Sequence, residues 1–487
     1  SVSVADMAEV PTAPFLRVVA MCVALAGVQF QWSAAFAVVT PFFKMQGLSD
    51  TQSQAVWIFG PVVGMIFGPL VGTLSDNCGS SYGRRRPYII GGAACLIFSL
   101  VMFGYSDDLG RVFGDKKGQH SKCIVIAYIA FAIMNMAINV LQGPVRVVVA
   151  DLLPKSQQNL GQSVATAMQA VGAVAGNLVA FYFGAKDVHL IFSVGAGLLL
   201  LTTMTTCMYC RETPLVRQKG APVPGILDAF RDVIVGIATM PRFLRRVCIV
   251  QVFLWFAWFT ILPNATTWMG DVVYRGHADS TDKHLKDLYN EGTQFACLGT
   301  TFQAVVQFGS SLLVPPLAEK VGIKSVFFGS NVIFAGTLFG MAWIRSQQYK
   351  IAANVGIAAL GIPFATTNIF PYSIISLFIT DPSQQGLFMG AMNVFISLPQ
   401  VVDTQITGRI SEHFKTSKVG GEWAVLFLGS GLAALGAVAT LFLILKKEEV
   451  LSDPLLASAR QSRSSKTDNL DDGLLDVDGV ESRTSLN

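Results

Sequence analysis

Residues 122–151 read KCIVIAYIAFAIMNMAINVLQGPVRVVVAD. The stretch has the length a helix needs to cross a bilayer, yet Asn135, Asn139, Gln142 and Arg146 interrupt its apolar run. These four stand at i, i+4, i+7 and i+11. At roughly 100° per residue the first and last nearly superimpose in projection, three turns and roughly 16 Å apart along the axis. The result is a polar stripe on a lipid-compatible rod. An Arg inside a spanning segment costs about 2.5–3.5 kcal/mol on insertion scales, so such a group faces a bundle interior or an aqueous cavity. The stripe therefore reads as one wall of a path for a polar solute. The alternative is structural: the amides bind neighbouring helices and Arg146 snorkels to an interface.

The rest of the chain supports a membrane reading. Its 487 residues are 52% hydrophobic and 14% charged, with a mean hydropathy of +0.52. Apolar segments recur from end to end, which marks a polytopic helical membrane protein. The net charge of +4 is uninformative here, because the placement of Lys and Arg matters more than their sum. The eight Cys lie mostly in apolar segments, and Cys207-x-x-Cys210 lacks a second pair or a nearby His. The five His are scattered over loops and helix ends. No metal site is expected from that spacing.

Twelve apolar segments follow one another, near 15–42, 55–75, 87–104, 122–151, 161–183, 188–208, 247–268, 292–317, 322–344, 350–379, 387–410 and 423–445. The expected fold is all-α, with twelve transmembrane helices in two six-helix bundles. The divisions expected are an N-terminal tail at 1–14, a first bundle at 15–210, a basic linker at 211–246, a second bundle at 247–446 and a disordered tail at 447–487. Segment one carries Gln29, Ser33 and Thr40 on one face, with Trp32 beside them. Segment two has Gly60, Gly64, Gly68 and Gly72, a series that lets helices approach closely. Segment eleven repeats the spacing of segment four with Asn393, Ser397, Gln400 and Thr404, as equivalent positions in two repeats do. Arg84–Arg86, the linker and Lys446–Lys447 place both termini in the cytoplasm.

The loop GTLSDNCGSSYGRRRP, 72–87, sets Asp76 at the end of one helix and Arg84, Arg85 and Arg86 at the start of the next. An acid at that place meets the positive end of a neighbouring helix, and the arginines can pair with a carboxylate such as Asp151. Contacts of this kind latch a cytoplasmic gate in one conformation and break in another. The plainer reading is that three arginines hold the loop inside.

Several stretches resemble the sucrose/proton symporter family, in the glycoside–pentoside–hexuronide branch of the major facilitator superfamily. They are GVQFQWS, VWIFGPVVGMIFGPLVGTLSD, YGRRRP, LQGPVRVVVADL, TWMGDVVY and LPQVV. The resemblance implies the major facilitator fold, a central sugar site and alternating access. It puts the family's substrate-contacting Arg on Arg146, whose rigid fork of donors suits vicinal hydroxyls.

The departures are specific. Where plant members carry an Asp as the presumed proton acceptor, this chain has Asn135, and a carboxamide does not titrate near neutrality. The segment-eight pattern containing an Arg reads Gly292, Thr293, Gln294, Phe295. Asp403 lies instead inside segment eleven, beside the stripe, and an intramembrane carboxylate is a functional candidate by default. It is the proton-coupling candidate, partnered by Arg146 across the two halves; the competing readings are a structural carboxylate near Arg409 at the extracellular end, and no coupling at all with Asp403 incidental. The expected function is secondary transport of sucrose or a related disaccharide or glucoside, proton-coupled as in the family. Gln29, Trp32, Asn135, Asn139, Gln142, Arg146, Asn393 and Gln400 would line the substrate site. Two rivals are an uncoupled facilitator, favoured by Asn135, and a transporter-like sugar sensor. An enzyme is not expected, since no helix clusters a nucleophile, a base and metal ligands. Protons are the one coupling ion considered and no cofactor is expected. The partners are the sugar and the bilayer, without nucleic acid, and the protein is expected to work as a monomer in the plasma membrane.

Overall fold

The computed structural model describes residues 12–76, 78–116, 118–154, 157–212, 226–378, 382–416 and 419–443. The tail expected at 447–487, most of the start at 1–14 and residues 213–225 of the linker lie outside them. Among the described residues the chain is helical and holds no strand. The long helices are α1 Phe15–Met45, α2 Phe59–Asp76, α3 Arg86–Gly104, α4 Ser121–Leu152, α5 Gln158–Phe183 and α6 Val188–Tyr209. They continue as α7 Arg242–Ile261, α8 Lys283–Val321, α9 Ile323–Trp343, α10 running through Lys350–Ala359 and Gly361–Phe378, α11 Pro382–Phe414 and α12 Glu422–Leu441. Ten of these are long and apolar enough to cross a membrane by length and composition. Helices α2 and α11 occupy the second and eleventh places of the expected twelve, so the count of twelve includes two that rest on position.

A helix is forced on each segment because lipid offers no partner for backbone N–H and C=O groups. The internal prolines Pro41, Pro144, Pro371 and Pro399 are tolerated for the reason that neighbouring helices re-satisfy the freed carbonyls. Large apolar side chains such as Phe98, Leu201, Leu313 and Ile351 stand exposed on the outside, as a lipid-facing belt requires. Inside, the buried apolar residues form two clusters. One is built almost wholly from residues 13–210, the other from residues 240–443. Trp255 packs against both.

The halves meet along two seams, α5 against α8 and α11 against α2 with the short helix Asp50–Ala55. A further helix, Ile226–Ala238, packs on both α2 and α11. The linker therefore contains structure that its basic composition did not disclose.

Small residues set the closest approaches. A Cβ on Gly172 of α5 would stand 2.1 Å from the Ala26 carbonyl oxygen of α1, so these two backbones touch. In α2, a Cβ on Gly60 would meet Asn135 Oδ1 at 3.1 Å, while Gly68 has open space. Only part of the glycine series in segment two is therefore a contact surface. Gly172→Ala is expected to push α1 and α5 apart, at a cost of about 1–3 kcal/mol. Gly197→Ala, at an exposed helical position with nothing near, should be neutral or slightly stabilising. Thermal unfolding of the two purified variants in detergent checks the difference.

Candidate functional site between the two halves

Between the halves lies a cavity lined by Gln29, Ser33 and Phe36 of α1, Asn177 of α5, Thr266, and Thr300, Gln303 and Gln307 of α8. Its volume of ≈ 80 Å³ is room for a few waters, whereas ligand pockets ordinarily span roughly 300–1,000 Å³. A larger polar solute fits only where the halves part further. Of the residues expected to line the site, Gln29 is in this wall. Trp32 is half-buried and stacks on Phe36 at 5.8 Å between ring centroids. Thr300, Gln303 and Gln307 were not singled out from the sequence, although their i, i+3, i+7 spacing on α8 is a polar stripe like the others.

The α4 stripe divides in two. Asn135 is fully buried and donates through Nδ2 to the Phe131 carbonyl at 2.8 Å, leaving Oδ1 without a partner beside Gly60. Asn139 donates to the Asn135 carbonyl at 2.9 Å. Both amides bond back to their own helix and turn their oxygens to α2, which is how helices are joined as much as how a solute is bound. Two and three turns on, Gln142 is half-buried and Arg146 is exposed. Arg146 is nonetheless ringed by protein and lies within electrostatic reach of the Tyr372 hydroxyl of α10, which is exposed in the same way.

On α11, Asn393 is half-buried and Gln400 buried, and neither lines the ≈ 80 Å³ cavity. Asp403 is fully buried; Thr407 Oγ1 donates to its Oδ2 at 3.5 Å and its Oδ1 has no partner. No ion pair joins it to Arg146, whose charge neighbour is Tyr372, nor to the exposed Arg409.

The strongest polar cluster was not foreseen. Lys44 Nζ, in the last turn of α1, contacts Asp50 Oδ1 at 2.8 Å, Asp271 Oδ2 at 2.8 Å and Glu422 Oε1 at 2.5 Å, and all four side chains are buried. Each is placed by local sequence. Ser49 caps the short helix that starts at Asp50, in a reciprocal bond with Gln52. Asp271 sits in a π-helical turn, Met269–Val273, a geometry frequent at functional sites. Glu422 opens α12 after Gly420 and Gly421. Around the cluster, Ser411 donates to Asp50 at 3.0 Å, Thr51 Oγ1 donates to Glu412 at 2.8 Å, and Gln54 bonds Asn264. At the outer rim Lys186 faces Asp287 at 3.5 Å. Apart from Lys44–Asp50 and the Ser49 cap, these contacts cross from one half to the other and shut this end of the bundle.

At the opposite end, Glu212 accepts from the Arg85 and Arg86 backbone N–H groups at 2.9 and 3.0 Å, capping the start of α3. Arg85 Nη1 donates to Ser75 at 2.7 Å. The side chains of Asp76 and Asp151 lie outside what the structure describes. Arg84 and Arg85 have further partners.

Because a buried charge stripped of its partner costs about 3–5 kcal/mol, Lys44→Met is expected to lower thermal stability sharply. Lys186→Met, at a pair with side chains 53% and 54% exposed, should change it by no more than about 1 kcal/mol. Melting curves of the two variants give the comparison.

The profile of the Major Facilitator Superfamily matches residues 21–404. Sucrose transport protein SUT1 of Oryza sativa subsp. japonica is 28% identical over 467 residues, covering 86% of each chain. Sucrose transport protein SUC3 of Arabidopsis thaliana is 26% identical over 518 residues, covering 86% of this chain and 84% of its own. Among solved structures, the nucleoside transporter NupG aligns with a TM-score of 0.62 at 14% identity, over 88% of this chain and 98% of its own. A D-xylose-proton symporter aligns with 0.61 at 14%, over 88% and 97%. These structures share the fold. With its helical membrane architecture and a profile match over most of its length, the chain is a multi-pass membrane protein that belongs to the Major Facilitator Superfamily, a family of transporters rather than enzymes.

Proposed function

We propose that the protein carries sucrose, or a related disaccharide or glucoside, across a membrane by alternating access. The observation that carries this is Arg146 of the first half, a guanidinium ringed by protein yet open, within electrostatic reach of the Tyr372 phenol of the second. Five donors in a rigid plane suit adjacent sugar hydroxyls. Deeper in, Gln29, Asn177, Gln303 and Gln307 offer uncharged donors and acceptors. Sucrose transport proteins align with the chain over most of its length, which supports the substrate class.

In this reading the described conformation is closed at the Lys44 end and open at the level of Arg146. With the GRRRP loop and both termini in the cytoplasm, it is inward-facing. Rocking of the halves would break the Lys44 contacts while Asp76, Arg84–Arg86 and Asp151 latch the other end. The plasma membrane is the proposed location and the monomer the working unit. An uncoupled facilitator is the second reading, and Asn135 favours it because its amide does not titrate near neutral pH.

Uptake of radiolabelled sucrose into proteoliposomes, with and without an inward proton gradient, tests both. Concentrative uptake that collapses with a protonophore is the result expected for coupling; equilibration indifferent to the gradient selects the facilitator. Arg146→Lys keeps the charge and loses the fork, so uptake is expected to fall by about tenfold or more. Undiminished uptake in that variant would overturn the assignment of Arg146 to the sugar.

A further inference from the structure

The cluster that closes the bundle has more negative charge than its one ammonium neutralises. Lys44 faces Asp50, Asp271 and Glu422, so with every carboxylate ionised the four groups sum to −2. The surroundings do not restore balance. Tyr289 of α8 is fully buried, lies within electrostatic reach of all four, and has a hydroxyl with no partner. His277 stands 4.0 Å from Asp271 through Nδ1, and its protonation would still leave −1. Lys415 and Glu412 lie at the exposed rim with opposite signs, and Asp279 is exposed beside them. A net buried charge is costly, and the ordinary relief is protonation.

The geometry shows where a proton would sit. Glu422 uses Oε1 for Lys44, while its Oε2 is buried with no hydrogen-bond partner among the described residues. That oxygen lies 2.4 Å from the place a Cβ on Gly420 would take, and Asp271 Cβ lies 2.6 Å from the same point. Glu422 Oε2 and the Asp271 side chain thus meet beside Gly420, and their carboxylates converge on the one Lys44 ammonium. Gly420 N–H also donates to the Asp271 carbonyl at 3.3 Å, holding the turn against that wall. A cavity of ≈ 280 Å³ lined by Lys44, Ser49, Asp50, Asp271, Asp279 and Glu412 leads from the cluster outward.

We propose that closure of the Lys44 end takes up one proton on the Asp271 carboxyl group, beside the unpartnered Glu422 Oε2, so that this gate is itself a proton-binding site. Lys44 and Asp50 belong to the first half, and Asp271 and Glu422 to the second. When the halves part, the carboxylates meet water and the proton passes to it. When they close, a carboxylate takes a proton from water through the polar cavity, and its O–H replaces the missing partner of Glu422 Oε2. The sign follows: low pH favours the closed end, and the closed population falls as pH rises. One linked proton sets a limiting slope of about tenfold per pH unit. The role of this gate in a transport cycle rests on the reading above; its proton uptake does not.

The test is hydrogen exchange of the full chain in lipid nanodiscs without sugar, read at residues 43–57 and 265–276 and corrected for the intrinsic pH dependence of exchange. In the unaltered protein, protection at both stretches is expected to fall as pH rises, approaching tenfold per unit over part of the range from about pH 5 to 9. Asp271→Asn and Glu422→Gln each remove one negative charge, so protection should hold about tenfold or more above the unaltered protein at the alkaline end. A flat profile in the unaltered protein would overturn the proposal even if neither variant folds. So would the unaltered slope in both variants. Sucrose uptake separates the two readings: pH-linked protection without flux of any sugar overturns transport alone, and flux with flat protection overturns the proton site alone.

Discussion

One buried ammonium group against three buried carboxylates is the constraint around which the described conformation is arranged. Lys44 joins helix ends that are far apart in sequence, and its contacts at 2.5–2.8 Å are possible only if the two halves close on that side. In a low-dielectric seam a carboxylate cannot be left alone without cost, so the ion group is stable as a whole and unstable in parts. That all-or-none character is what a gate needs. A seam of apolar side chains would part gradually; a seam held by buried charges has two arrangements, paired and dry or separated and wet.

Much of the fold was legible in the sequence because the bilayer imposes so simple a rule. A segment without internal hydrogen bonds cannot cross, so long apolar runs must be helices, and the expected segments coincide with the long helices. The α4 stripe was legible for the same reason, since Asn, Gln and Arg in such a helix need a partner other than lipid. What the residues do there was less legible. Asn135 and Asn139 bond back to their own helix, a use that periodicity does not distinguish from solute binding. Gln29 was found because it lies on a stripe, whereas Gln303 and Gln307 were overlooked in a segment read for its missing Arg.

The Lys44 group was invisible for a different reason. Each member is a lone charge near the end of an apolar run, where snorkelling to an interface is the ordinary explanation. Nothing in the spacing of residues 44, 50, 271 and 422 brings them together; the tertiary packing of α1, α7, α8 and α12 does. Local cues were present in hindsight. Ser49 with Gln52 is a capping box, Gly420–Gly421 precedes Glu422, and each fixes a helix start, but a helix start names no partner. The asymmetry is general: elements are written locally, and charge pairing across a domain seam is not.

The touch of Gly172 on the Ala26 carbonyl has a mechanical meaning. Two helices whose backbones meet resist sliding past one another at that point, so α1 and α5 tend to move together. That pair carries Gln29, Ser33 and Asn177 of the cavity wall near its middle and Lys44 close to its end. At 1.5 Å per residue, Gln29 and Lys44 are separated by roughly 22 Å along α1. A few degrees of tilt therefore move the ammonium by an ångström or more, while the cavity wall nearer the fulcrum barely shifts. The lever arm lets a small adjustment around a bound solute become the making or breaking of a salt bridge at the rim.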